Sequence, residues 1–582
     1  MRVLLLILLL ALCANAGFFD TKIGQKIKQT LSKMKAALNG TALMAIREKF
    51  NKLKEKIKAK LTLSPARKAI LDEIMKHIRI IKKDKIQEKG DSIEEINEKS
   101  NIGELLYQGD IVLTPTQADE IVEAVDDDNS NREKRQAFKD HRYPRMLWSK
   151  GVYYYFHYNA TPEVKSVFTK GARLWMKDTC IDFFESNSAP DRIRVFKEDG
   201  CWSYVGKLGG EQDLSLGDGC ESVGTAAHEI GHAIGFFHTQ SRHDRDDFIT
   251  FNAHNVKPSW LDQFTKQTRA TNENYGITYD YGSIMHYGAN SATGNGRPTM
   301  VPNDPKYVET LGSPIISFYE LLMLNTHYGC TKNCPPATSA QCKMGGFPHP
   351  RDCSRCICPS GYGGKLCDQK PAGCGTVYQA STEPKTFHDE VGNKAAGQRP
   401  REDMDFCYYW ITVLHKLIFG VTTGAPKYLK YAFQAPEGSR IEIKIAGLSR
   451  GAAVDGCQYW GVEIKTHADQ RLTGYRFCAP EDVGVTLVSS SNIVPIITYN
   501  RFYATAVDIQ YRIGAFPSAS YCNNPVSVSG GGGGTPRPQP QTNCVDNAQC
   551  ATIVRTKDFC HNRAFTDSIR RGLCPRACGF CR

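Results

Sequence analysis

The distribution of its cysteines constrains the fold of this chain more than any other feature. Of the 22 cysteines, four lie between residues 180 and 330, and most of the others crowd into three blocks at 334–367, 374–478 and 544–581. Such crowding is typical of small secreted modules that lack a large hydrophobic core. A chain of 582 residues is also too long for a single core. We therefore expect several domains that are cross-linked by disulfide bonds and that fold in an oxidising compartment.

The first residues of the chain predict export. Arg2 is followed by a short apolar run from Leu4 to Leu12 and by Ala14-Asn15-Ala16, which together form the pattern of a signal peptide over residues 1–16. The alternative is a membrane anchor, but this run is too short to span a bilayer, as is every later apolar stretch. We therefore expect a secreted, extracellular protein without a transmembrane segment.

The net charge of +12 raises the question of a nucleic-acid partner. The excess of Lys and Arg is shared between the first part of the chain and the rest, so solvated surface charge accounts for it. We expect no nucleic acid among the partners.

Residues 17–135 have the pattern of a helical propeptide. Apolar residues such as Ile57 and Leu61 recur at helical spacing, which indicates amphipathic helices. A membrane-surface role is the alternative for so basic a segment. The segment ends in the basic string Arg132-Glu133-Lys134-Arg135. A proprotein convertase or a trypsin-like enzyme cuts after such a string, so we expect an activation cleavage between Arg135 and Gln136.

The strongest chemical signal is the string Thr-Ala-Ala-His-Glu-Ile-Gly-His-Ala-Ile-Gly-Phe-Phe-His at residues 225–238. On a helix, His228 and His232 are one turn apart and can reach the same metal ion. Gly235 can adopt left-handed dihedral angles, so the chain can leave the helix there and turn back. This turn would place His238 as a third ligand. Three imidazoles leave one position open for water, which is typical of a catalytic zinc site rather than a structural one.

Glu229 follows the first of these histidines directly. It is the expected general base, which takes a proton from water and returns it to the leaving amine. We therefore expect one Zn²⁺ per catalytic domain.

The histidine motif and the string Tyr281-Gly282-Ser283-Ile284-Met285-His286-Tyr287 together resemble the astacin family of metzincin zinc endopeptidases. The resemblance implies an α+β catalytic domain over residues 136–330. It also implies that Met285 forms the Met-turn beneath the zinc. Tyr287 would be a further zinc ligand that moves to stabilise the oxyanion.

Other parts of the resemblance concern latency and cross-links. Tyr107-Gln108-Gly109-Asp110 is similar to the family's aspartate switch, in which Asp110 would bind the zinc in the latent form only; the alternative is an ordinary turn. The family pattern pairs Cys180 with Cys330 and Cys201 with Cys220.

Thr239 stands where many astacins carry a glutamate that holds the new amino terminus. A free ammonium buried there would have no counter-charge. We hypothesise that Gln136 either cyclises to a neutral pyroglutamate near Thr239 or lies in solvent; the alternative is that Thr239 only caps or packs.

The cysteine-rich tail resembles three kinds of extracellular module. Residues 331–370 resemble an EGF-like domain, residues 371–513 a CUB β-sandwich, and residues 544–582 a ShK-type (ShKT) domain, with a Gly/Pro-rich linker at 514–543. Cys522 is left without a partner. The bonds implied by these resemblances are Cys334–Cys353, Cys342–Cys356, Cys358–Cys367, Cys374–Cys407, Cys457–Cys478, Cys544–Cys581, Cys550–Cys574 and Cys560–Cys578.

These features together predict a secreted, multidomain zinc metalloendopeptidase that acts on extracellular proteins and is made as a latent zymogen. The module order resembles that of nematode astacins, which implies cuticle, matrix or egg-coat substrates and docking to matrix or cell surface through the CUB and ShKT modules. The alternatives are a catalytically silent matrix or receptor-binding protein that acts through its tail, and a channel toxin, whose Lys-Tyr dyad the ShKT segment lacks. Asn39 and Asn159 fit the glycosylation pattern.

Overall fold

The computed structural model describes residues 40–126, 137–138, 142–268, 272–413, 440–514, 546–562 and 565–580. Several predictions fall on other residues and stay predictions: the signal peptide, Asn39, the activation bond at Arg135 and Gln136, nearly all of the linker, Cys522 and the bond Cys544–Cys581. Within the described part of the chain, every helix is too short or too polar to cross a lipid bilayer.

The propeptide predicted from the sequence is described over residues 40–126, and that part is largely helical. Ser64 begins the helix Pro65–Met75 by accepting a hydrogen bond from the Arg67 amide, and Pro65 occupies the first turn, where no amide hydrogen is needed. The helical pattern fails over residues 78–87, which have no regular structure. The backbone there binds a neighbouring domain instead, as the Asp84 amide does at the Ala453 carbonyl. The propeptide helices are α1 (Gly40–Lys52), α2 (Lys54–Leu61), α3 (Pro65–Met75), α4 (Ile93–Lys99) and α5 (Pro115–Asp126).

A six-stranded sheet forms the centre of the next region. Its strands are β1 (Ile111–Val112), β3 (Val152–Phe156), β4 (Phe183–Glu185), β5 (Arg192–Phe196), β6 (Cys201–Tyr204) and β7 (Glu211–Leu216), in the order β1-β6-β7-β5-β3-β4. Strand β1 comes from the propeptide and pairs in parallel with β6, with Ile111 opposite Ser203. The propeptide therefore supplies one edge strand of this sheet.

Helices α6 (Pro162–Lys177) and α7 (Val223–Ala233) share a buried core with this sheet. The indole of Trp175 on α6 donates a hydrogen bond to the Ala227 carbonyl of α7 at 2.9 Å. A later helix, α8 (Phe318–His327), begins with a capping box formed by Ser317 and Glu320. The remaining strands of this region are β2 (Ala137–Phe138), β8 (Ile249–Phe251), β9 (Asn272–Glu273) and β10 (Met300–Pro302).

The tail begins with a hairpin of β11 (Phe347–His349) and β12 (Asp352–Ile357), followed by a two-sheet β-sandwich. One sheet has the order β13-β15-β20-β17-β18 and the other β14-β21-β16-β19. Residues of both sheets, such as Ile411 and Ile509, share one core. The strands of the sandwich are β13 (Val377–Gln379), β14 (Lys385–Gly392), β15 (Pro400–Thr412), β16 (Ile441–Leu448), β17 (Trp460–Ile464), β18 (Tyr475–Phe477), β19 (Thr486–Val488), β20 (Ile493–Phe502) and β21 (Ala504–Ile513).

The C-terminal helices α9 (Cys550–Lys557) and α10 (Asp567–Leu573) pack on the propeptide helix α3. Ile74 of α3 shares a buried apolar cluster with Ile553 and Ile569. Gly572 allows this close packing, because a Cβ at that position would lie 2.1 Å from a carboxylate oxygen of Glu73. The propeptide is thus held by the C-terminal helices as well as by the sheet.

Disulfide bonds cross-link the central region and the described parts of the tail. The longest loop, between Cys180 and Cys330, has a sequence separation of 150 residues, and its closure contributes roughly 5 kcal/mol in the chain-entropy account. The bonds between described cysteines have the pairing implied by the family and module resemblances: Cys180–Cys330, Cys201–Cys220, Cys334–Cys353, Cys342–Cys356, Cys358–Cys367, Cys374–Cys407, Cys457–Cys478, Cys550–Cys574 and Cys560–Cys578.

Candidate metal centre

Helix α7 directs two histidines towards one point. Ser222 begins the helix by accepting a hydrogen bond from the Thr225 amide. The Nδ1 atom of His228 lies 2.7 Å from the Ile284 carbonyl, and that of His232 lies 2.7 Å from the Phe236 carbonyl. Because a carbonyl can only accept, each Nδ1 carries the proton and each Nε2 offers its lone pair to the centre.

His238 reaches the same point because the chain turns sharply after α7. Gly235 has a φ of +115°, in the region that favours glycine. His238 Nε2 then lies 3.2 Å from His228 Nε2, and its Nδ1 lies 3.0 Å from Gln108 Oε1. Burial lowers the pKa of His238 to about 3. The ring is therefore neutral, which is the form that binds a metal.

The carboxylate of Asp110 lies between the three histidines. Its Oδ2 is 3.1 Å from His238 Nε2 and 3.2 Å from His228 Nε2, and its Oδ1 is 3.5 Å from His232 Nε2. The hydroxyl of Tyr287 donates to the same Oδ2 at 2.8 Å. The structure thus brings together all five residues for which the sequence predicts contact with the metal.

These donors fit a zinc ion. Asp110 and the three histidines are buried, and their ligand atoms lie within 4.8 Å of one another. Tetrahedral zinc at its usual distance from imidazole places two ligand nitrogens about 3.3 Å apart; His228 and His238 are separated by 3.2 Å at Nε2. Within the described part of the chain, His232 Nε2 and Asp110 Oδ1 are buried without a hydrogen-bond partner. A cation among these atoms would satisfy both.

Glu229 lies on α7 beside the first ligand and is fully buried. Neither of its carboxylate oxygens has a hydrogen-bond partner among the described residues. Burial and then the charge of Asp110 raise its pKa well above the ordinary value for glutamate. A carboxylate in this environment accepts a proton readily.

The turn that carries Met285 packs directly against α7. A Cβ at Gly231 would lie 2.6 Å from Met285 Sδ, so the turn can approach the helix only because this residue has no side chain. Glu320 holds the turn from the other side, where its carboxylate accepts hydrogen bonds from the amides of Ile284 and Met285, both at 3.1 Å. The turn is therefore fixed relative to the ligands on α7.

Two residues of this site, Gln108 and Glu320, are absent from the sequence-based prediction. Gln108 has a φ of +51°; its side chain contacts His238, and its carbonyl accepts a hydrogen bond from the Tyr287 hydroxyl at 2.7 Å. Its position next to Gly109-Asp110 is the only sequence signal for it. The signal for Glu320 is the capping-box pattern that begins at Ser317.

Thr239 belongs to a buried chain of hydrogen bonds. Its hydroxyl lies 2.6 Å from the Ser283 hydroxyl, which in turn donates to Glu320. Gln136 lies outside the described residues, so the hypothesis about the mature terminus stays a prediction.

The predicted glycosylation site at Asn159 engages its side chain inside the fold. Its Nδ2, the atom that would carry a glycan, donates to the Lys197 carbonyl at 2.9 Å.

Comparisons with known proteins agree with this geometry. The family model described as astacin, a peptidase family, matches residues 140–329. The chain is 44% identical over 484 residues to zinc metalloproteinase nas-31 of Caenorhabditis elegans, which covers 81% of this chain and 75% of the relative. It is 32% identical over 451 residues to zinc metalloproteinase nas-29 of the same species, with 73% and 78% covered.

Among solved structures, the chain is similar to high choriolytic enzyme 1, a hatching enzyme zinc-protease of the medaka fish Oryzias latipes. The identity is 31%, the TM-score is 0.30, and the match covers 33% of this chain and 94% of that chain. The matches to the family and to its nematode members confirm the predicted zinc metalloendopeptidase and its single zinc ion. The chain belongs to the astacin family of zinc metalloendopeptidases.

Proposed function

We propose that the protein is a secreted zinc endopeptidase made as a latent zymogen, in which Asp110 blocks the metal centre until the propeptide is cut after Arg135. The observation that carries this proposal is the position of the Asp110 carboxylate, fully buried and 3.1 Å from His238 Nε2. A catalytic zinc site keeps one ligand position for water. A carboxylate at that position excludes the water and the substrate carbonyl together.

Each residue of the centre has a role in the open enzyme. His228, His232 and His238 would hold the zinc ion through Nε2. Its chemistry there would be polarisation of the scissile carbonyl and a lowered pKa, about 7, for a bound water. Glu229 accepts the proton of the attacking water and passes it to the leaving amine. Tyr287, whose hydroxyl donates to Asp110 in the latent form, donates to the developing oxyanion once Asp110 has left.

The propeptide backbone around Asp110 is positioned by specific contacts, which supports a built inhibitor rather than an accidental turn. Asn97 Nδ2 donates to the Gly109 carbonyl at 2.9 Å and to the Cys201 carbonyl at 2.7 Å, while Asn97 Oδ1 accepts from the Cys201 amide. Gly109 has a φ of +88°, and a Cβ there would lie 3.1 Å from Trp260. These contacts join the switch to β6 and to Trp260.

Secretion, docking and substrates follow from the leader and the tail. We assign the disulfide-rich hairpin, the β-sandwich and the C-terminal helices to EGF-like, CUB and ShKT modules, which dock the enzyme on matrix or cell surface. The substrates are extracellular proteins such as those of cuticle, matrix or egg coat. A proprotein convertase or a trypsin-like enzyme performs the activating cut.

The test uses the full chain with Arg135→Ala and Lys134→Ala, which prevent the activating cut. We expect this precursor to hydrolyse peptides at least a hundredfold more slowly than the cleaved wild-type enzyme, and Asp110→Ala to restore measurable hydrolysis without cleavage. Asp119→Ala is the matched control, because Asp119 is an exposed carboxylate on α5 that pairs with Lys49. An uncleavable precursor as fast as the cleaved enzyme would refute latency through Asp110.

A further inference from the structure

The propeptide runs across the β-sandwich before it reaches the metal centre. Between α3 and α4, the Asp84 amide donates to the Ala453 carbonyl at 2.9 Å, and the Ala453 amide donates to Asp84 Oδ2 at 3.0 Å. The Tyr459 hydroxyl donates to Asp91 Oδ1 at 2.5 Å. One loop of the sandwich is therefore a docking surface for the segment between α3 and α4, which leads on to Asp110 at the metal centre.

Two propeptide cations lie on this surface, each against a carboxylate of the sandwich. Arg79 pairs with Asp482, with Nε at 2.9 Å and Nη2 at 2.8 Å from Oδ1, and its guanidinium stacks 5.5 Å above the ring of Phe477. Lys83 lies 3.0 Å from Asp455 Oδ1 and 3.4 Å from Glu309 Oε1.

The three carboxylates belong to the part of the chain that remains after cleavage at Arg135. Glu309 is 1% exposed and Asp482 is 0% exposed. Asp455 accepts hydrogen bonds from the Asn290 amide at 2.8 Å and from Asn290 Nδ2 at 3.1 Å. Asp455 also lines a small cavity together with His228 and Tyr287, so this carboxylate adjoins the metal centre.

Loss of the propeptide would leave these carboxylates without their cations. The same step opens this surface to water, so an acidic patch is left beside the loop. Glu309 Oε2 already has no hydrogen-bond partner among the described residues. The exposed carboxylates therefore favour a new cationic ligand. Such a ligand would bind along the same loop of the sandwich as the propeptide does and continue to the metal centre.

The neighbouring cysteines do not turn this group into a metal site. Cys457 and Cys478 lie close enough to Glu309 to share an ion with it, but they are bonded to each other as a disulfide. A disulfide offers no thiolate to a metal. The cations that the structure places here are the side chains of Arg79 and Lys83.

We propose that Glu309, Asp455 and Asp482 form a substrate subsite in the mature enzyme that binds two basic side chains of a protein substrate, spaced as Arg79 and Lys83 are. The preferred substrates carry Lys or Arg at positions i and i+4 in a segment without regular secondary structure beside the cleaved bond. The subsite is built jointly by the catalytic domain and the sandwich, so the sandwich selects substrate directly. This inference rests on the proposed activation, which removes the propeptide.

The experiment uses the full chain after expression and cleavage, and starts from a short uncharged peptide selected from a library because the enzyme cuts it. This core is extended at one end or the other by Arg-x-x-x-Lys, and in a parallel set by Gln-x-x-x-Gln. We expect one of the basic extensions to lower KM about tenfold with little change in kcat, since each contact is a hydrogen bond between charged groups.

The enzyme variants are Asp455→Asn and Asp482→Asn, which keep the shape of each side chain and one of its hydrogen-bond acceptors. We expect them to abolish the preference for the basic extension, measured within each variant as the ratio of the KM values for the basic and the Gln extensions. Asp508→Asn is the matched control, because Asp508 is an exposed carboxylate of the same sandwich that pairs with His388.

The outcomes separate the two proposals. Equal KM values for basic and uncharged extensions, with the core peptide cleaved normally, would overturn the subsite and leave the peptidase intact. A cleaved chain that cuts no peptide at all would overturn the proposed activation itself. A preference that survives both Asn substitutions would also refute the subsite, because the selectivity would then lie elsewhere.

Discussion

Glu229 lies beside the metal ligands without belonging to them, and this separation allows its role to be tested. We expect Glu229→Gln to bind zinc stoichiometrically and to lower kcat/KM by about a hundredfold to ten-thousandfold, because the general base is lost while the ligands stay. Metal analysis of the purified variant, together with peptide hydrolysis, measures both effects.

The matched variant is His238→Ala, which removes a ligand whose Nε2 lies 3.2 Å from that of His228. Here we expect weaker zinc binding as well as lost activity. A Glu229→Gln enzyme without zinc would contradict the division of roles between ligand and base.

At the residue scale, the sequence predicts the metal ligands and the general base better than it predicts the residues that position them. The spacing of His228, His232 and His238 defines a zinc site because one helical turn separates the first two. The contact between Gln108 and His238 joins residues 130 positions apart, and local patterns carry no information about such a pairing. The same holds for Glu320. Its capping-box pattern can be recognised in the sequence, but its contact with the Met285 turn cannot.

At the scale of secondary-structure elements, the contact between α7 and the Met285 turn is the tightest point of the site. A Cβ at Gly231 would meet Met285, which is 1% exposed. Overpacking of this kind costs about 1–3 kcal/mol, against a gain of about 1 kcal/mol in helix propensity for alanine. We expect Gly231→Ala to lower the free energy of unfolding by about 1 kcal/mol net and to weaken zinc binding.

Chemical denaturation and zinc titration measure these two effects. Gly294→Ala is the control, since its nearest neighbour to an added Cβ is 3.6 Å away. Equal losses in both variants would mean that the contact with Met285 is not the cause.

Helix α4 predicts a pH dependence of propeptide binding. Burial raises the pKa of Glu94 on this helix to about 7 from an ordinary value of 4.5, although the Ser291 hydroxyl donates to it. The bound propeptide therefore takes up a proton between pH 4.5 and 7, so its affinity rises as the pH falls through this window and is lowest above it. Because a single proton is taken up, the affinity of the propeptide changes by at most about tenfold per pH unit.

Inhibition of the cleaved enzyme by added propeptide measures this affinity between pH 5 and 8. Because Gln does not titrate, we expect the affinity of the Glu94→Gln propeptide to change less between pH 5 and 8 than the affinity of the wild-type propeptide. Glu95→Gln serves as the comparison, because Glu95 is exposed on the same helix. Identical slopes for wild type and Glu94→Gln would contradict the assignment.

The secondary-structure elements also show where sequence patterns fail to predict the structure. Apolar spacing predicts helices for the propeptide, and α1 to α5 are helical. Residues 78–87 carry a similar composition but bind the sandwich without regular secondary structure, because the Ala453 loop supplies a partner for the Asp84 amide. The two-residue strand β1 exists only through its pairing with β6, and no periodic pattern can specify so short an element.

At the scale of the whole molecule, the apolar contact between α3 and the C-terminal helices joins the predicted propeptide to the tail. Ile74 is fully buried in this contact. We expect Ile74→Ala to weaken the docking of α3 by about 2–5 kcal/mol, as large-to-small changes in a core do. The precursor should then gain activity sooner when trypsin is added, and kcat/KM after complete activation should equal that of the wild type.

Asp72→Ala is the control, because Asp72 lies exposed on the same helix and pairs only weakly with Lys68. Unchanged activation kinetics for Ile74→Ala would show that the C-terminal helices do not help to retain the propeptide.

The attachment of the propeptide to the sheet, the sandwich and the C-terminal helices changes character when the chain is cut. Before the cut, a covalent tether keeps the inhibitor at an effective concentration on the order of millimolar. After the cut, the same contacts must be remade by a free molecule that diffuses away. Under the proposed activation, a single hydrolysed bond would convert a permanent inhibitor into one whose occupancy depends on dilution, and the volume into which the enzyme is released would become part of the switch.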